Sequence, residues 1–198
     1  ALLDLGCGSG AFLSLARDAG WRVEGVELSR ALCERVSRSL GLDLHQGDFM
    51  DCELPPGGYE VITMWDFLEH VVDPPAVLRR ARELLVPGGA LIVLTIDSSS
   101  LFNSLGHLAY ALTGSRLSRP LELLYDARHN YYFTTDTVER VLAGAGFRVE
   151  HRRAYRAYLG RWLSEPAPAW LRLAGGIVDL ASVLARRQYR QLLYCSPA

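Results

Sequence analysis

The sequence has no lysine, because all 21 of its basic residues are arginine. Without a lysine amine the chain cannot form a Schiff base with pyridoxal phosphate or supply the lysine of a P-loop. The four cysteines have no short paired spacing, which argues against a zinc cluster and a disulfide framework and predicts a reducing, cytoplasmic setting. No signal peptide is predicted, and the longest apolar stretch, 169–185, is interrupted by charges and too short to span a bilayer.

The length and the hydrophobic content predict one α/β domain over residues 1–198. A chain of 198 residues with 49% hydrophobic content buries one good core and is short for two. The net charge of −1 argues against a nucleic-acid partner, although residues 148–198 hold 9 arginines against 3 acids. Because the chain begins inside its first predicted strand, we expect preceding N-terminal helices to be missing from it.

Apolar runs alternate with helical patterns as far as about residue 96. This alternation predicts βαβ units that form a doubly wound parallel sheet. Further along, a helix from Thr135 or Asp136 to Ala143 precedes two more strands, 147–153 and about 189–195. The predicted strands of the first half are 1–5, 21–27, 42–46, 59–65 and 89–96, and its helices are 11–19, 30–39 and 74–85.

A glycine-rich turn, Gly6-x-Gly8-x-Gly10, follows the first predicted strand. Glycines let the backbone turn sharply and present its N–H groups to a ligand. Glu27, at the end of the second strand, stands where such folds hold a ribose diol. The turn therefore predicts an adenosine-bearing cofactor, and NAD, FAD and S-adenosylmethionine all fit it.

Asp4 separates these cofactors by charge. A carboxylate two residues before the first glycine would repel the pyrophosphate of a dinucleotide. It would favour or tolerate S-adenosylmethionine, which has no phosphate and carries a sulfonium and an ammonium group. In the alternative interpretation, Asp4 only caps backbone amides of the turn.

Four ordered segments resemble class I S-adenosylmethionine-dependent methyltransferases: 2–10, 26–29, 47–49 and 84–91. Two later ones, 132–134 and 143–147, are similar to the closing helix and sixth strand of that family. The resemblance implies a Rossmann-like, doubly wound, seven-stranded sheet, mostly parallel with an antiparallel last strand and with helices on both faces. It implies S-adenosyl-L-methionine as the cofactor, bound by Asp4, Gly6, Gly8, Gly10, Glu27, Leu28, Asp48, Phe49 and Asp66.

The end of the fourth strand bears on the acceptor. It lacks the Pro-Pro-aromatic signature of DNA and glutamine N-methyltransferases. The run 68–71 instead looks like small-molecule O-methyltransferases of the ubiquinone-biosynthesis type, some of which bind a divalent metal here. Asp66, Glu69 and His70 stand at i, i+3 and i+4 and could converge on an ion. Bracing of the loop is the favoured interpretation, and no metal ligand is assigned.

Two histidines are the candidate catalytic residues, since a hydroxyl acceptor must lose its proton. His129 belongs to a segment, 129–134, that resembles the histidine-containing acceptor segment of the family. His70 is the second candidate. For each, a role in holding its loop is the alternative.

Two segments lie outside the predicted core. Residues 97–133 stand where the family places a substrate-covering insertion, and 154–188 contain an apolar helix before the last strand. Packing of that helix against the first insertion is favoured. A peripheral membrane or dimer contact through 154–188 is the alternative, supported by Trp162, Trp170 and flanking arginines.

The sequence thus predicts methyl transfer to a hydroxyl of a small acceptor, apolar or membrane-associated. Nitrogen and carbon acceptors stay open. An NAD-dependent oxidoreductase keeps Gly6-x-Gly8-x-x-Ala11 and Glu27, but it must explain Asp4. A non-catalytic, methyltransferase-like binding scaffold is the third possibility.

Overall fold

The structure is a computed structural model that describes residues 1–114, 125, 127–156 and 169–198, with backbone alone at 169–172 and 174. These residues form seven strands and six α-helices. The strands are β1 Leu2–Leu5, β2 Val23–Glu27, β3 His45–Gln46, β4 Tyr59–Trp65, β5 Leu85–Ile96, β6 Phe147–Tyr155 and β7 Arg190–Pro197. The helices are α1 Ala11–Asp18, α2 Arg30–Leu40, α3 Pro74–Leu84, α4 Leu101–Leu112, α5 Thr135–Gly144 and α6 Ala169–Leu184.

The strands form one sheet in the order β3-β2-β1-β4-β5-β7-β6. The pairs among β1, β2, β3, β4 and β5 are parallel, and β7 is antiparallel to both of its neighbours, β5 and β6. This arrangement confirms the predicted doubly wound, seven-stranded sheet with an antiparallel last strand. The carboxyl ends of β1, β2, β4 and β5 meet at one edge, where open sheets of this kind bind ligands.

Helices α3 and α5 begin where side chains cap them. Asp73 accepts a hydrogen bond from the Ala76 amide, 2.9 Å long, and Pro74 opens α3 with its ring-fixed φ. Thr134 and Thr137 form a capping box at the start of α5. The predicted bounds of α1, α2, α3 and α5 are correct to within about a residue.

The core lies on both faces of the sheet. Leu3, Leu5 and Ile62 belong to a large cluster that also includes buried residues of α3 and α5. Leu2 and Leu13 belong to a smaller cluster beneath α1. A strand buried on both faces is apolar along nearly its whole length, and β1 accordingly has leucine at three of its four buried positions.

Two strands, β3 and β5, differ by three or more residues from their predicted bounds, and the others differ by two at most at either end. β3 is only two residues long, where five were predicted. β5 begins directly after α3, because Leu85 already pairs with Tyr59 before a register shift. The Pro87-Gly88-Gly89 segment, with Gly88 at a φ of 79°, is therefore inside the strand rather than ahead of it.

The two helices outside the predicted core contact each other. α4 packs against α6, in line with the favoured interpretation of the apolar helix. Their apolar faces, however, point outward: the buried side chains include Asn103 and Asp179. The turn at 165–168 and Trp162 lie outside the described residues, as does the side chain of Trp170. Within the described part, no helix is long and apolar enough to cross a bilayer.

Candidate active site

The glycine-rich turn is built on three left-handed residues. Gly6, Gly8 and Gly10 have φ values of 70°, 57° and 72°. A Cβ atom on Gly6 would lie 2.6 Å from the ring of Phe67, and one on Gly10 would lie 3.0 Å from Leu40. The turn needs glycine there both for its conformation and for close packing. Above Gly8 the space is open, since its Cβ would meet nothing nearer than a backbone oxygen at 4.0 Å.

The amides of this turn already donate within the protein. Those of Gly6 and Cys7 donate to the Val26 carbonyl, over 2.9 and 3.2 Å. The Gly8 amide donates to one carboxylate oxygen of Glu27 (3.0 Å), and the Ser29 amide donates to the other (2.8 Å). The expectation that these N–H groups face the ligand was therefore wrong for Gly6, Cys7 and Gly8. A pyrophosphate would have to compete with a carboxylate for the Gly8 amide.

Asp4 lies below the turn with 1% of its surface exposed. Its carboxyl accepts a 2.6 Å hydrogen bond from the Thr63 hydroxyl of β4. Burial raises the pKa of Asp4 to about 7, so a sizeable fraction is protonated at neutral pH. A cation bound nearby would favour the ionised form, whereas a phosphate would favour the neutral one.

The predicted cofactor residues that follow β2 and β3 differ in how exposed their side chains are. Leu28 directly follows Glu27 and is 72% exposed, so its side chain can cover a flat ligand. Asp48 is exposed and accepts from the Met50 amide at 2.8 Å. Phe49 is buried in the core under the Arg80 guanidinium, 5.1 Å from its ring, which leaves only its backbone for a ligand.

The end of β4 turns sharply at Asp66, a non-glycine residue with a φ of 51°. Its amide donates to the Leu94 carbonyl over 2.9 Å, and its carboxylate forms an ion pair with Arg190 of β7. This turn places Phe67 against Gly6. It also commits the Asp66 carboxylate to Arg190, so Asp66 is not part of the side-chain group formed by Glu69 and His70.

Glu69 is fully buried in a single 3-10 turn, Leu68–His70. The Thr95 hydroxyl donates to one of its carboxylate oxygens over 3.0 Å. The other oxygen has no hydrogen-bond partner among the residues that the structure describes. Burial raises the pKa of Glu69 to about 7, and the charge of Asp66 adds to the effect.

His70 and His129 lie edge to face with ring centroids 4.6 Å apart. A carboxylate oxygen of Glu69 and one nitrogen of each ring all lie within 4.8 Å of one another. The His70 Nδ1 atom is 3.0 Å from the Arg128 carbonyl, which can only accept a hydrogen bond. Nδ1 therefore carries the hydrogen in the neutral ring, and Nε2 keeps the lone pair that can take a proton.

Hydrogen bonds hold the loop of His129 against that 3-10 turn. The amides of Asn130 and Tyr131 donate to the Glu69 carbonyl, over 2.8 and 3.1 Å. The Asn130 side chain donates to the His70 carbonyl (2.7 Å), and the Tyr131 hydroxyl donates to that of Val72 (2.9 Å). These bonds make the two histidines one structural unit.

Sequence reasoning missed Asn130 and Arg190. Asn130 lies within the segment 129–134 that drew attention to His129, so its position was a usable indication. Arg190 lies 124 residues from Asp66, and no local pattern marks such a pair.

The remaining histidines lie elsewhere. His45 is 3.2 Å from Glu24, and His151 is exposed on β6. His107 of α4 contacts the Tyr125 hydroxyl at 2.7 Å. The Tyr125 ring packs on Tyr132 (centroids 4.6 Å apart), and Tyr132 packs on His129 (5.4 Å). A row of rings thus connects α4 to the pair of histidines.

Comparisons with known proteins identify the family. A family model described as a methyltransferase domain matches residues 1–152. The chain is 32% identical over 158 residues to the ubiquinone biosynthesis O-methyltransferase of Paraburkholderia xenovorans, covering 68% of this chain and 65% of that protein. The chain thus spans just under two thirds of that relative's length.

Solved structures show the same fold at low identity. A protein described as an S-adenosylmethionine-dependent methyltransferase from Mesorhizobium loti aligns with a TM-score of 0.68 and 19% identity, over 98% of this chain and 89% of that one. The [4+2]-cyclase SpnF aligns with a TM-score of 0.67 and 18% identity, over 99% and 74%. Because a cyclase shares this fold, the fold alone does not determine the reaction.

Proposed function

The chain belongs to the class I S-adenosylmethionine-dependent methyltransferases, and on that premise we propose that it transfers a methyl group to a hydroxyl of a small acceptor. The observation that carries the proposal is the pair of histidines, His70 and His129, beside the glycine-rich turn. Phe67 packs on Gly6 and is followed directly by the 3-10 turn that bears His70. A methyl donor on the turn and a base for the acceptor would therefore be neighbours.

The residues present fit S-adenosyl-L-methionine. A carboxylate has about four lone-pair sites, and the two backbone amides on Glu27 leave capacity for a ribose diol. Leu28 offers an exposed apolar side chain to a flat base, and Asp48 lies on the neighbouring loop. The open backbone at Gly8 leaves room for the ligand, and a cation bound near the buried Asp4 would favour its ionised form. When bound, this cofactor supplies a methyl group on a sulfonium that a nucleophilic oxygen can attack.

The chain's own residues would prepare the acceptor. The Arg128 carbonyl holds Nδ1–H of His70, which leaves Nε2 able to accept a proton. His129 packs edge to face against this ring. One of the two histidines would accept the proton from the acceptor, and the other would hold the ring of that base in place. Positioned proton transfer of this kind contributes about a hundredfold or more to a rate.

We infer that the acceptor is a phenol rather than an alkanol. A phenolic hydroxyl ionises near pH 10, as tyrosine does, and is therefore within reach of a histidine base. The row of rings that ends at His129 offers aromatic surface to such a molecule. The relative from Paraburkholderia xenovorans is also named for O-methylation.

A metal-assisted reaction is the second candidate. Glu69, His70 and His129 each offer one ligand atom within 4.8 Å of the others, and carboxylate and imidazole ligands suit several divalent ions. In that case the ion would lower the pKa of the acceptor hydroxyl, and the histidines would be ligands rather than bases. Assays with added Mg²⁺ and with a chelator separate the two mechanisms.

The alternatives from the sequence have less support. Family membership and the occupied Gly8 amide both disfavour an NAD-dependent oxidoreductase. A non-catalytic scaffold stays an alternative that turnover would exclude. The cytoplasmic setting and the membrane or dimer contact through 154–188 remain predictions.

The test is methyl transfer from S-adenosylmethionine to a panel of phenols and catechols, followed by mass spectrometry. We expect His129→Ala and His70→Ala each to lower turnover by about a hundredfold. Affinity for S-adenosylhomocysteine, measured by calorimetry, should stay within about twofold of the parent protein. His151→Ala is the matched control, because that histidine is exposed on β6, and it should keep full activity.

Unchanged turnover in both histidine variants would contradict the proposal. Turnover that requires Mg²⁺ and disappears with the chelator would reassign the group to metal binding. A protein that binds S-adenosylhomocysteine but methylates no phenol, alcohol or amine of the panel would favour the scaffold.

A further inference from the structure

Arg80 of α3 reaches the loop that follows β3. Its Nη1 atom donates to the Met50 carbonyl, and its Nη2 atom donates to the Cys52 carbonyl. The same guanidinium lies over the buried Phe49 ring, 5.1 Å from the ring centroid. A planar group with a fixed fork of donors can serve two carbonyls and stack on a ring at once, which the single ammonium of a lysine cannot. Arg80 thus contacts both the backbone and the buried side chain of this loop.

The other end of the loop is hydrogen-bonded to the strand that carries Glu27. The Gly47 amide donates to the Glu27 carbonyl over 3.1 Å, with Gly47 at a φ of 140°. The next residues form a tight turn, because the Asp48 carboxylate accepts from the Met50 amide (2.8 Å) and the Asp48 carbonyl accepts from the Asp51 amide (3.0 Å). The position of Asp48 therefore depends on the contact before it and on the Arg80 contacts after it.

The pairing of β2 with β3 places this loop beside the cofactor cleft. Glu27 pairs with Gln46 in parallel, so the residues that follow them lie side by side at the carboxyl edge of the sheet. With the ribose on Glu27, as proposed above, the adenine base lies between the exposed Leu28 side chain and the exposed Asp48. The position of Asp48 thus decides one wall of that cleft.

The loop is also strongly acidic. Asp48, Asp51 and Glu53 lie within six consecutive residues. Like charges this close repel one another and favour an extended chain over a tight turn. The Arg80 guanidinium, which stays protonated in proteins, offsets that repulsion where it meets the carbonyls of the turn.

We propose that Arg80 is a positioning residue for cofactor binding, which holds the loop 47–52 in the conformation that sets Asp48 beside the adenine base. The inference rests on the cofactor site proposed above and adds a residue that acts through the loop rather than on the ligand. Because β1 and β2 separate β3 from β4, the loop is remote from the 3-10 turn that carries His70. Loss of Arg80 should therefore weaken the binding of substrate and transition state alike and leave the chemical step unchanged.

The experiment measures affinity for S-adenosylhomocysteine by calorimetry in Arg80→Met, Arg80→Lys and Arg79→Met. Affinity falls in proportion to the fraction of molecules whose loop is in the binding conformation. We expect a loss of about tenfold in Arg80→Met, which has no donor, and of about threefold in Arg80→Lys, which can serve one carbonyl at a time. Arg79→Met is the matched control, because Arg79 is the neighbouring, exposed arginine of α3, and it should bind as the parent protein does.

Kinetics and base selectivity separate positioning from a purely structural role. In Arg80→Met the KM for S-adenosylmethionine should rise about tenfold, while kcat at saturating substrates stays within about twofold of the parent value. The preference for S-adenosylhomocysteine over S-inosylhomocysteine should also fall, since a carboxylate accepts from the adenine amino group but not from the oxo group that replaces it. A residue that only stabilised the fold would lower the melting temperature and leave this preference unchanged.

Affinity equal to that of the parent protein in every folded Arg80 variant would overturn the proposal. An unchanged base preference, or an equal loss of affinity in Arg79→Met, would overturn it as well. Calorimetry needs no acceptor, so the affinities are obtained even if the protein methylates no phenol. The role of Arg80 and the proposed reaction are thus tested separately.

Discussion

Glu69 and Asp4 are buried carboxyl groups, and their burial favours the protonated form. Each has a pKa raised by burial to about 7, and each has one hydroxyl donor, from Thr95 and Thr63 respectively. In the unfolded chain such groups ionise near pH 4. Between about pH 4 and pH 7 the folded protein therefore binds more protons than the unfolded chain.

The stabilisation that these two groups contribute should accordingly be complete below about pH 4 and should be lost as the pH rises towards about 7. Each of the two groups contributes about 1.4 kcal/mol per pH unit to this decline. Glu69→Gln has no proton to release, so it should remove the contribution of Glu69, about half of what the two groups together add to the slope of the unfolding free energy against pH. Urea denaturation at intervals between about pH 5 and pH 8 measures that slope.

Glu53→Gln is the matched control, because Glu53 is an exposed glutamate, and it should leave the slope unchanged. A slope in Glu69→Gln equal to that of the parent protein would show that Glu69 is ionised in the fold throughout this range.

At the scale of elements, the turn after β1 and the turn after β4 are packed against each other. Gly6 has a φ of 70°, and its missing Cβ leaves room for the Phe67 ring. Phe67 in turn precedes the 3-10 turn that carries Glu69 and His70. A change in the cofactor turn is thus transmitted to the proposed base through a single ring.

Gly6→Ala should therefore cost more than the strain of a left-handed alanine. Gly20 is the matched control, since its φ is 92° and nothing lies within 4 Å of its Cβ position. Gly20→Ala pays about 1–2 kcal/mol of unfolding free energy for conformation alone. Gly6→Ala adds the displacement of Phe67, and we expect it also to weaken S-adenosylhomocysteine binding by tenfold or more, roughly.

Denaturation and calorimetry on the two variants make the comparison. Equal losses of stability together with unchanged affinity in Gly6→Ala would show that the packing of Phe67 on Gly6 has no influence on the cofactor site.

At the scale of the whole molecule, ligand binding at the carboxyl edge of the sheet should stabilise the complete fold. β1, β2 and β4 each contribute to that edge, and they pair with one another in the middle of the sheet. A ligand that binds only the folded state raises the unfolding free energy by about 2.7 kcal/mol at a hundred times its dissociation constant.

S-adenosylhomocysteine should therefore raise the melting temperature, while NADH at the same concentration should not. Glu27→Gln should reduce the increase, because it removes a carboxylate that two amides and the ribose would share. Thermal scans with each compound test this, and stabilisation by NADH alone would restore the oxidoreductase alternative.

Much of the fold could be predicted because its determinants are local. Alternating apolar runs, glycine turns and capping residues such as Asp73 and Thr134 act over a few residues. The antiparallel insertion of the last strand came instead from the family resemblance, and the sheet order confirms it. The inverted orientation of α6 was not predictable, because its apolar content indicates burial, whereas the ion pair between Arg156 and the buried Asp179 turns its polar side inward.

The candidate site likewise has residues that motifs predicted and contacts that no motif predicted. His70, His129 and the cofactor residues from Asp4 to Asp66 were named from motifs, and their roles stay predictions. The triad of i, i+3 and i+4 residues did not form, because Asp66 adopts a left-handed conformation and pairs with Arg190. His129 lies beside Glu69 and His70 instead, held by hydrogen bonds between segments that are about sixty residues apart in the chain.

The sequence by itself thus determined the βαβ order, the glycine turn and the family, since these depend on short-range steric and hydrogen-bonding preferences. Only the tertiary structure decided which charges are buried, which histidines meet and which helix faces remain exposed. Those outcomes depend on contacts between distant segments, such as Asp66 with Arg190 and Asn130 with His70, and no local pattern in the chain specifies them.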